Sequence, residues 1–133
     1  MCASYCIETT YHLPVYRQRI YRAESLEAAC RFAVEDEGWG DEKSDVESSG
    51  ETFVMGIWAG EDGAWRGAAL PVPSHFRETV ERLSAHFDAL VELLAEAAQP
   101  LGLSEAAFRA WLPRAQAALA KARAIVDSAR DPD

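Results

Sequence analysis

Apolar and polar residues alternate from Ser4 to Tyr11, with Tyr5, Ile7, Thr9 and Tyr11 on one face and Cys6, Glu8 and Thr10 on the other. A period of two predicts a strand. The odd-numbered apolar set continues through Leu13 and Val15. The phase then flips, so that Tyr16 and Ile20 fall on even positions. Pro14 lies at the slip and cannot donate to a ladder, which suits a bulge, an edge kink or a tight hairpin. Arg17, Arg19 and Tyr21 then share the opposite face. Ser25 is a suitable N-cap, and Leu26, Ala29, Cys30, Ala33 and Val34 follow at helical spacing, which predicts a helix from Ser25 to about Glu37. Cys30 lies on its apolar face and reads as a small core residue.

Glu51–Ala59 is apolar on both faces, as an inner strand would be, with Phe53, Met55 and Ile57 opposite Val54, Gly56 and Trp58. Gly60 to Gly63 predicts a turn, and Trp65 to Val72 a returning strand that stops at Pro71 and Pro73.

The character of the chain changes at Pro71–Ser74. Beyond it, Phe76, Val80, Leu83, Phe87, Leu90 and Leu94 recur at intervals of four and three, a coiled-coil-like seam on a helix opened by Ser74. Glu78 and Arg82 fall four apart on its polar side. Burying all six apolar side chains would be worth on the order of 10–18 kcal/mol before entropy costs, so the seam is expected to have a packing partner. Ser104 predicts a short helix bearing Phe108 and Trp111, and Pro113 opens a last helix running to about Ala129. Leu112, Leu119 and Val126 repeat every seven residues there, as do Ala115, Ala122 and Ala129, which suits close antiparallel packing on the Ser74 helix. Asp131-Pro132-Asp133 reads as a frayed end.

These elements predict an α+β fold. A small antiparallel sheet of three or four strands carries one helix packed on it and is followed by a C-terminal antiparallel helical hairpin. The expected organisation is a single domain over 1–133, with an acidic αβ unit at 1–72 and a helical unit at 73–133. With 133 residues, about half of them apolar, the chain can build a core without staples. No apolar run is long enough for a membrane span, and the first residues do not read as a secretory signal. Three cysteines read as reduced thiols, so the expected compartment is the cytoplasm.

The net charge of −9 is concentrated. Residues 24–62 hold twelve acids against Arg31 and Lys43 alone, a net of −10. Such a field repels a phosphate backbone, so direct nucleic-acid binding is not expected and a basic or nucleic-acid-binding protein partner is. The candidate partner-binding residues are Asp36, Glu37, Trp39, Asp41, Glu42, Asp45, Glu47 and Glu51. The acids in this loop lack the spacing and mid-loop glycine of a calcium loop. Cys2 and Cys6 sit ~13 Å apart along a strand, too far to chelate one zinc. His75 and His86 lie about three turns apart on the long helix and read as surface or rim side chains. Phosphate-binding glycine loops, nucleophile elbows and metal-ligating motifs are missing from the sequence. No catalytic residue, metal ligand or cofactor is therefore assigned.

The stretch from Tyr11 to Gly60 resembles a group of small acidic proteins of unassigned function carried by proteobacterial plasmids and integrating elements. The residues that carry the resemblance are Tyr11–Arg17, Ser25–Cys30, Gly50–Gly60 and Val72–Phe76, and together they span roughly the first two-thirds of the chain. The resemblance implies a mobile-element setting and supplies no catalytic residues. The expected function is a non-enzymatic accessory protein that binds another protein through its acidic, aromatic-bearing N-terminal surface. The alternatives are an anti-CRISPR or anti-restriction inhibitor that mimics nucleic acid, and a small enzyme of unknown reaction. A homodimer through the helical hairpin is a further expectation.

Overall fold

A computed structural model describes residues 2–133. In chain order the elements are β1 (Tyr5–Thr10), β2 (Val15–Tyr16), α1 (Leu26–Glu35), β3 (Lys43–Ser44), β4 (Phe53–Ala59), β5 (Ala69–Leu70), α2 (Thr79–Ala97) and α3 (Glu105–Val126), with 3-10 turns at Val46–Ser48 and Ser74–Phe76. The fold is α+β. Its main sheet has three antiparallel strands in the order β1-β4-β5, and β2 and β3 pair as a separate short ribbon. The contacts fall into two compact units. Tyr11–Glu51 forms one, and the described residues on either side of it form the other. This division does not coincide with the change of composition at Pro71–Ser74.

The sheet belongs to the larger unit, with β4 as its inner strand, as its two apolar faces suggest. The face assignment changes, however. Glu8 pairs with Gly56 and Thr9 with Val54, so Met55 is an extra residue bulged out of β4. A bulge shifts the side-chain phase by one. Phe53 and Trp58, both buried, therefore share a face with Gly56, while Met55 is exposed. Cys6 and Thr10 stand opposite Trp58 and Phe53 and are the half-buried residues of β1. Tyr5 and Ile7, on the odd-numbered face, are exposed. Gly56 lies under the Trp58 indole, where a Cβ would come within 2.5 Å of the ring. Trp65 covers the same indole with ring centroids 5.0 Å apart. The returning strand is shorter than predicted, because β5 contains only Ala69 and Leu70.

The helical pair is antiparallel and packs on a face the sequence did not indicate. In α2 the buried residues are Arg82, His86 and Leu93, whereas Val80, Leu83, Phe87, Leu90 and Leu94 are exposed. The inward polar side chains bond to α3 and the segment after it, although Arg82 Nε is buried without a hydrogen-bond partner. His86 Nε2 lies 2.8 Å from the Ala118 carbonyl oxygen, and Arg82 donates to Ala129 O and to Asp131 Oδ1, both at 2.8 Å. Trp111 Nε1 donates to Leu93 O at 2.8 Å, and Arg114 forms a bidentate pair with Glu96.

Four expectations in this unit are thereby corrected. Arg82 and His86 are interior rather than surface residues. His75 lies in the 3-10 turn before α2, because Ser74 opens that turn and not the helix. Ser74 instead accepts a hydrogen bond from the Asp131 amide, so the chain is held at Asp131 rather than frayed there. The two predicted C-terminal helices are one. Ser104 caps it by accepting from Ala107 N, and Pro113 sits inside it at the loss of one ladder hydrogen bond. Ala118 and Ile125 are its buried residues, whereas Leu119 and Val126 face solvent.

Candidate partner-binding surface

The smaller unit is built from residues 11–51. Its ribbon pairs Val15 with Ser44 and Tyr16 with Lys43. Asp45 N to Pro14 O at 3.0 Å and Gly50 N to His12 O at 2.8 Å extend the alignment on either side. Pro14 thus acts as an acceptor at the ribbon's end, and the phase slip read near it is a passage out of β1 rather than a bulge.

Ser25 caps α1 as predicted, accepting from Ala28 N at 3.1 Å. The helix ends at Glu35, earlier than predicted, and has no basic residue in its last turn. Arg17 supplies that charge from another segment. Its Nη2 donates to Ala33 O at 3.1 Å and to Asp36 O, closing carbonyls that a helix C-terminus leaves open. The same guanidinium lies 3.9 Å from the centroid of the Trp39 ring, a cation–π contact.

Two residues on, Arg19 Nη1 donates to Asp36 Oδ2 at 2.9 Å, and its Nη2 bonds Asp41 Oδ1 and Gly38 O. Tyr21 Oη donates to Asp36 Oδ2 at 2.7 Å, and Asp36 Oδ1 accepts from Gly38 N at 3.0 Å. The alternation of Arg17, Arg19 and Tyr21 on one face therefore gathers the end of α1 and the start of the acidic loop. The phenol of Tyr21, the Gly38 amide and the Arg19 guanidinium together hold the Asp36 carboxyl down at about 2. Arg19 likewise lowers Asp41, and the hydrogen bond to Asp36 raises Tyr21.

The eight candidate residues consequently divide. Asp36, Trp39 and Asp41 are brought together and engaged by Arg17, Arg19 and Tyr21. Asp45 caps the 3-10 turn, accepting from Ser48 N at 3.3 Å. Glu37, Glu42, Glu47 and Glu51 are exposed. The residues that sequence reasoning did not place in the site are Tyr16, Arg17, Arg19, Tyr21 and Val34. With Trp39 they line an open cavity of about 670 Å³. A smaller depression lies between Val15, Trp39 and Glu42.

None of the described residues in Tyr11–Glu51 is buried. Cys30, read as a core residue, is exposed, as are Leu26 and Val34 on the same helix. The unit is ordered by ion pairs and hydrogen bonds, and its apolar side chains face water. Among the described residues, no three His, Cys, Asp or Glu side chains converge as a metal ion would require. No described helix is long and apolar enough to cross a membrane. Comparison with protein-family models, with curated proteins and with solved structures gave no match.

Proposed function

We propose that the protein works by binding another protein through the surface of Tyr11–Glu51. Tyr16, Ile20, Val34 and Trp39 form its apolar part, and Glu37, Glu42 and Glu47 its acidic rim. The observation that carries this reading is a unit with no buried residue and a dense set of exposed apolar ones, among them Ile20 at 94% and Val34 at 85% exposure. Exposed aromatic and aliphatic groups beside a pre-formed cavity, bordered by charge, have the anatomy of an interface. Ten acids against five bases in this segment favour a partner with a basic rim. Arg17, packed on Trp39, stiffens the aromatic anchor before binding, which lowers the ordering cost.

A nucleic-acid mimic is less well supported, because Asp36 and Asp41, two of the carboxylates it would present, are engaged by Arg19. The mobile-element setting rests on the resemblance of Tyr11–Gly60 alone.

Affinity capture from bacterial extract tests the reading with three baits: the native chain, Trp39→Ala, and the triple reversal Glu37→Lys, Glu42→Lys and Glu47→Lys. We expect a basic protein on the native bait, released by salt and lost from both variants. Equal recovery on all three baits would contradict the assignment.

A further inference from the structure

The longest apolar surface of the larger unit is on α2, facing away from α3. Val80, Leu83, Phe87, Leu90, Val91 and Leu94 are 67, 45, 63, 37, 47 and 68% exposed, and Phe76, in the turn before the helix, is 51% exposed. Scaled by side-chain size, this amounts to about 700 Å² of apolar surface. That exceeds the ~300–600 Å² of the largest patch on a typical monomer. It approaches the ~800 Å² that each partner contributes to a stable protein interface.

We propose that this stripe is the interface of a two-fold symmetric homodimer in which two α2 helices pack antiparallel. The spacing carries the choice of occupant. Within α2 the run Val80, Leu83, Phe87, Leu90 has intervals of 3, 4 and 3 and reads the same in both directions, whereas Phe76 precedes the helix, set off from it by extended backbone at Arg77 and Glu78. A two-fold axis at the level of Ala85 therefore sets Val80 against Leu90 of the second copy and Leu83 against Phe87. Each pair occurs twice. A self-complementary patch of this kind closes as a dimer.

Ser84 and Val91 form the edge of α2 away from α3. Antiparallel packing brings Ser84 to Ser84 of the second copy, so no like charges meet on that edge. The other edge is Thr79, His86 and Leu93, and His86 and Leu93 are already buried against α3. Glu81, Asp88 and Glu92 lie outside the seam, where they stay hydrated. The product is a four-helix arrangement with the two α2 helices at its centre and one α3 on each flank.

Sedimentation velocity on the full chain, from about 1 to about 100 µM, tests the proposal. We expect a species of twice the 14.6 kDa chain mass. The double variant Leu83→Glu, Phe87→Glu places four carboxylates about the axis. It should sediment as a monomer, with the dissociation constant raised at least about 100-fold and the far-ultraviolet helix signal retained, since both side chains are exposed in the single chain. A second measurement does not depend on that variant's folding. In a chain with Cys2, Cys6 and Cys30 changed to serine, Ser84→Cys should oxidise to a cross-linked dimer, and Glu92→Cys, outside the seam, should not. A native chain that stays at the monomer mass at the highest concentration would overturn the proposal. So would a dimer indifferent to the double variant, or cross-linking at 92 in preference to 84.

Discussion

At the scale of single residues, the protein invests its few basic side chains in holding acidic ones. Asp36 is the clearest case, because its carboxyl takes a phenol, a backbone amide and a guanidinium. Its folded value of about 2 lies below the ~3.9 of an unstructured aspartate. The stabilisation is therefore complete above about pH 4 and is lost as the pH falls through 2. A carboxyl-detected NMR titration should place the Asp36 midpoint near 2, and Tyr21→Phe should raise it, since the phenol is the largest cause. Over the same pH range the Gly38 amide should lose its shift. An unmoved midpoint in Tyr21→Phe would remove the phenol from this role. Arg82 is the interior counterpart. Its side chain is 6% exposed and meets Asp131, which is one-third exposed. Arg82→Ala should cost about 2 kcal/mol in urea unfolding, below the ~3–5 kcal/mol of a fully buried pair because Asp131 keeps some water. Little of this pairing was legible beforehand. The shared face of Arg17, Arg19 and Tyr21 could be read from alternation. Their partners could not, because Asp36 and Asp41 lie seventeen and twenty-two residues from Arg19 and no local spacing connects them.

At the scale of elements, helices and caps were legible and faces were not. Ser25 and Ser104 cap α1 and α3 as their spacing to the apolar residues predicts. In α2 the apolar stripe identified a helix correctly and its packing face wrongly. The face turned to α3 carries Arg82, Ala89 and His86 besides Leu93. An apolar pattern gives such a face no weight, yet the Ala118 and Ala129 carbonyls pair with His86 Nε2 and Arg82 Nη2, and a hydrogen-bonded polar group is tolerated inside. In β4 the bulge at Met55 moved Trp58 onto the face of Phe53, and no feature of the sequence marks it. Backbone proximity at Gly67 was equally hidden. A Cβ there would come 1.9 Å from the Ala59 carbonyl oxygen, beside the Ala59 N to Ala68 O hydrogen bond of 2.9 Å. Gly67→Ala should therefore force β4 and β5 apart and lower stability by about 1–3 kcal/mol. A Tm equal to that of the native chain would show that the two segments do not approach this closely.

At the scale of the whole molecule, the α+β class was legible and the division of contacts was not. Composition changes at Pro71–Ser74, but the compact units are divided at Tyr11 and Glu51. The ribbon hydrogen bonds that tie residues 12–16 to 43–50 draw that segment together. Every described residue that is buried lies in the larger unit. Amide exchange should reflect this, with slow exchange in β4, α2 and α3 and fast exchange in α1, whose order depends on a few side-chain bonds. Equal protection in α1 and β4 would contradict a coreless Tyr11–Glu51. That same absence of a core underlies the proposed function, and one measurement addresses it most directly. A photoreactive benzoylphenylalanine in place of Val34, an exposed residue lining the cavity, can be irradiated in bacterial extract. We expect one discrete covalent adduct to a basic protein, suppressed by excess native chain and not by excess chain carrying Glu37→Lys, Glu42→Lys and Glu47→Lys. No adduct at Val34, or an adduct suppressed equally by both competitors, would contradict a protein-binding role for this surface.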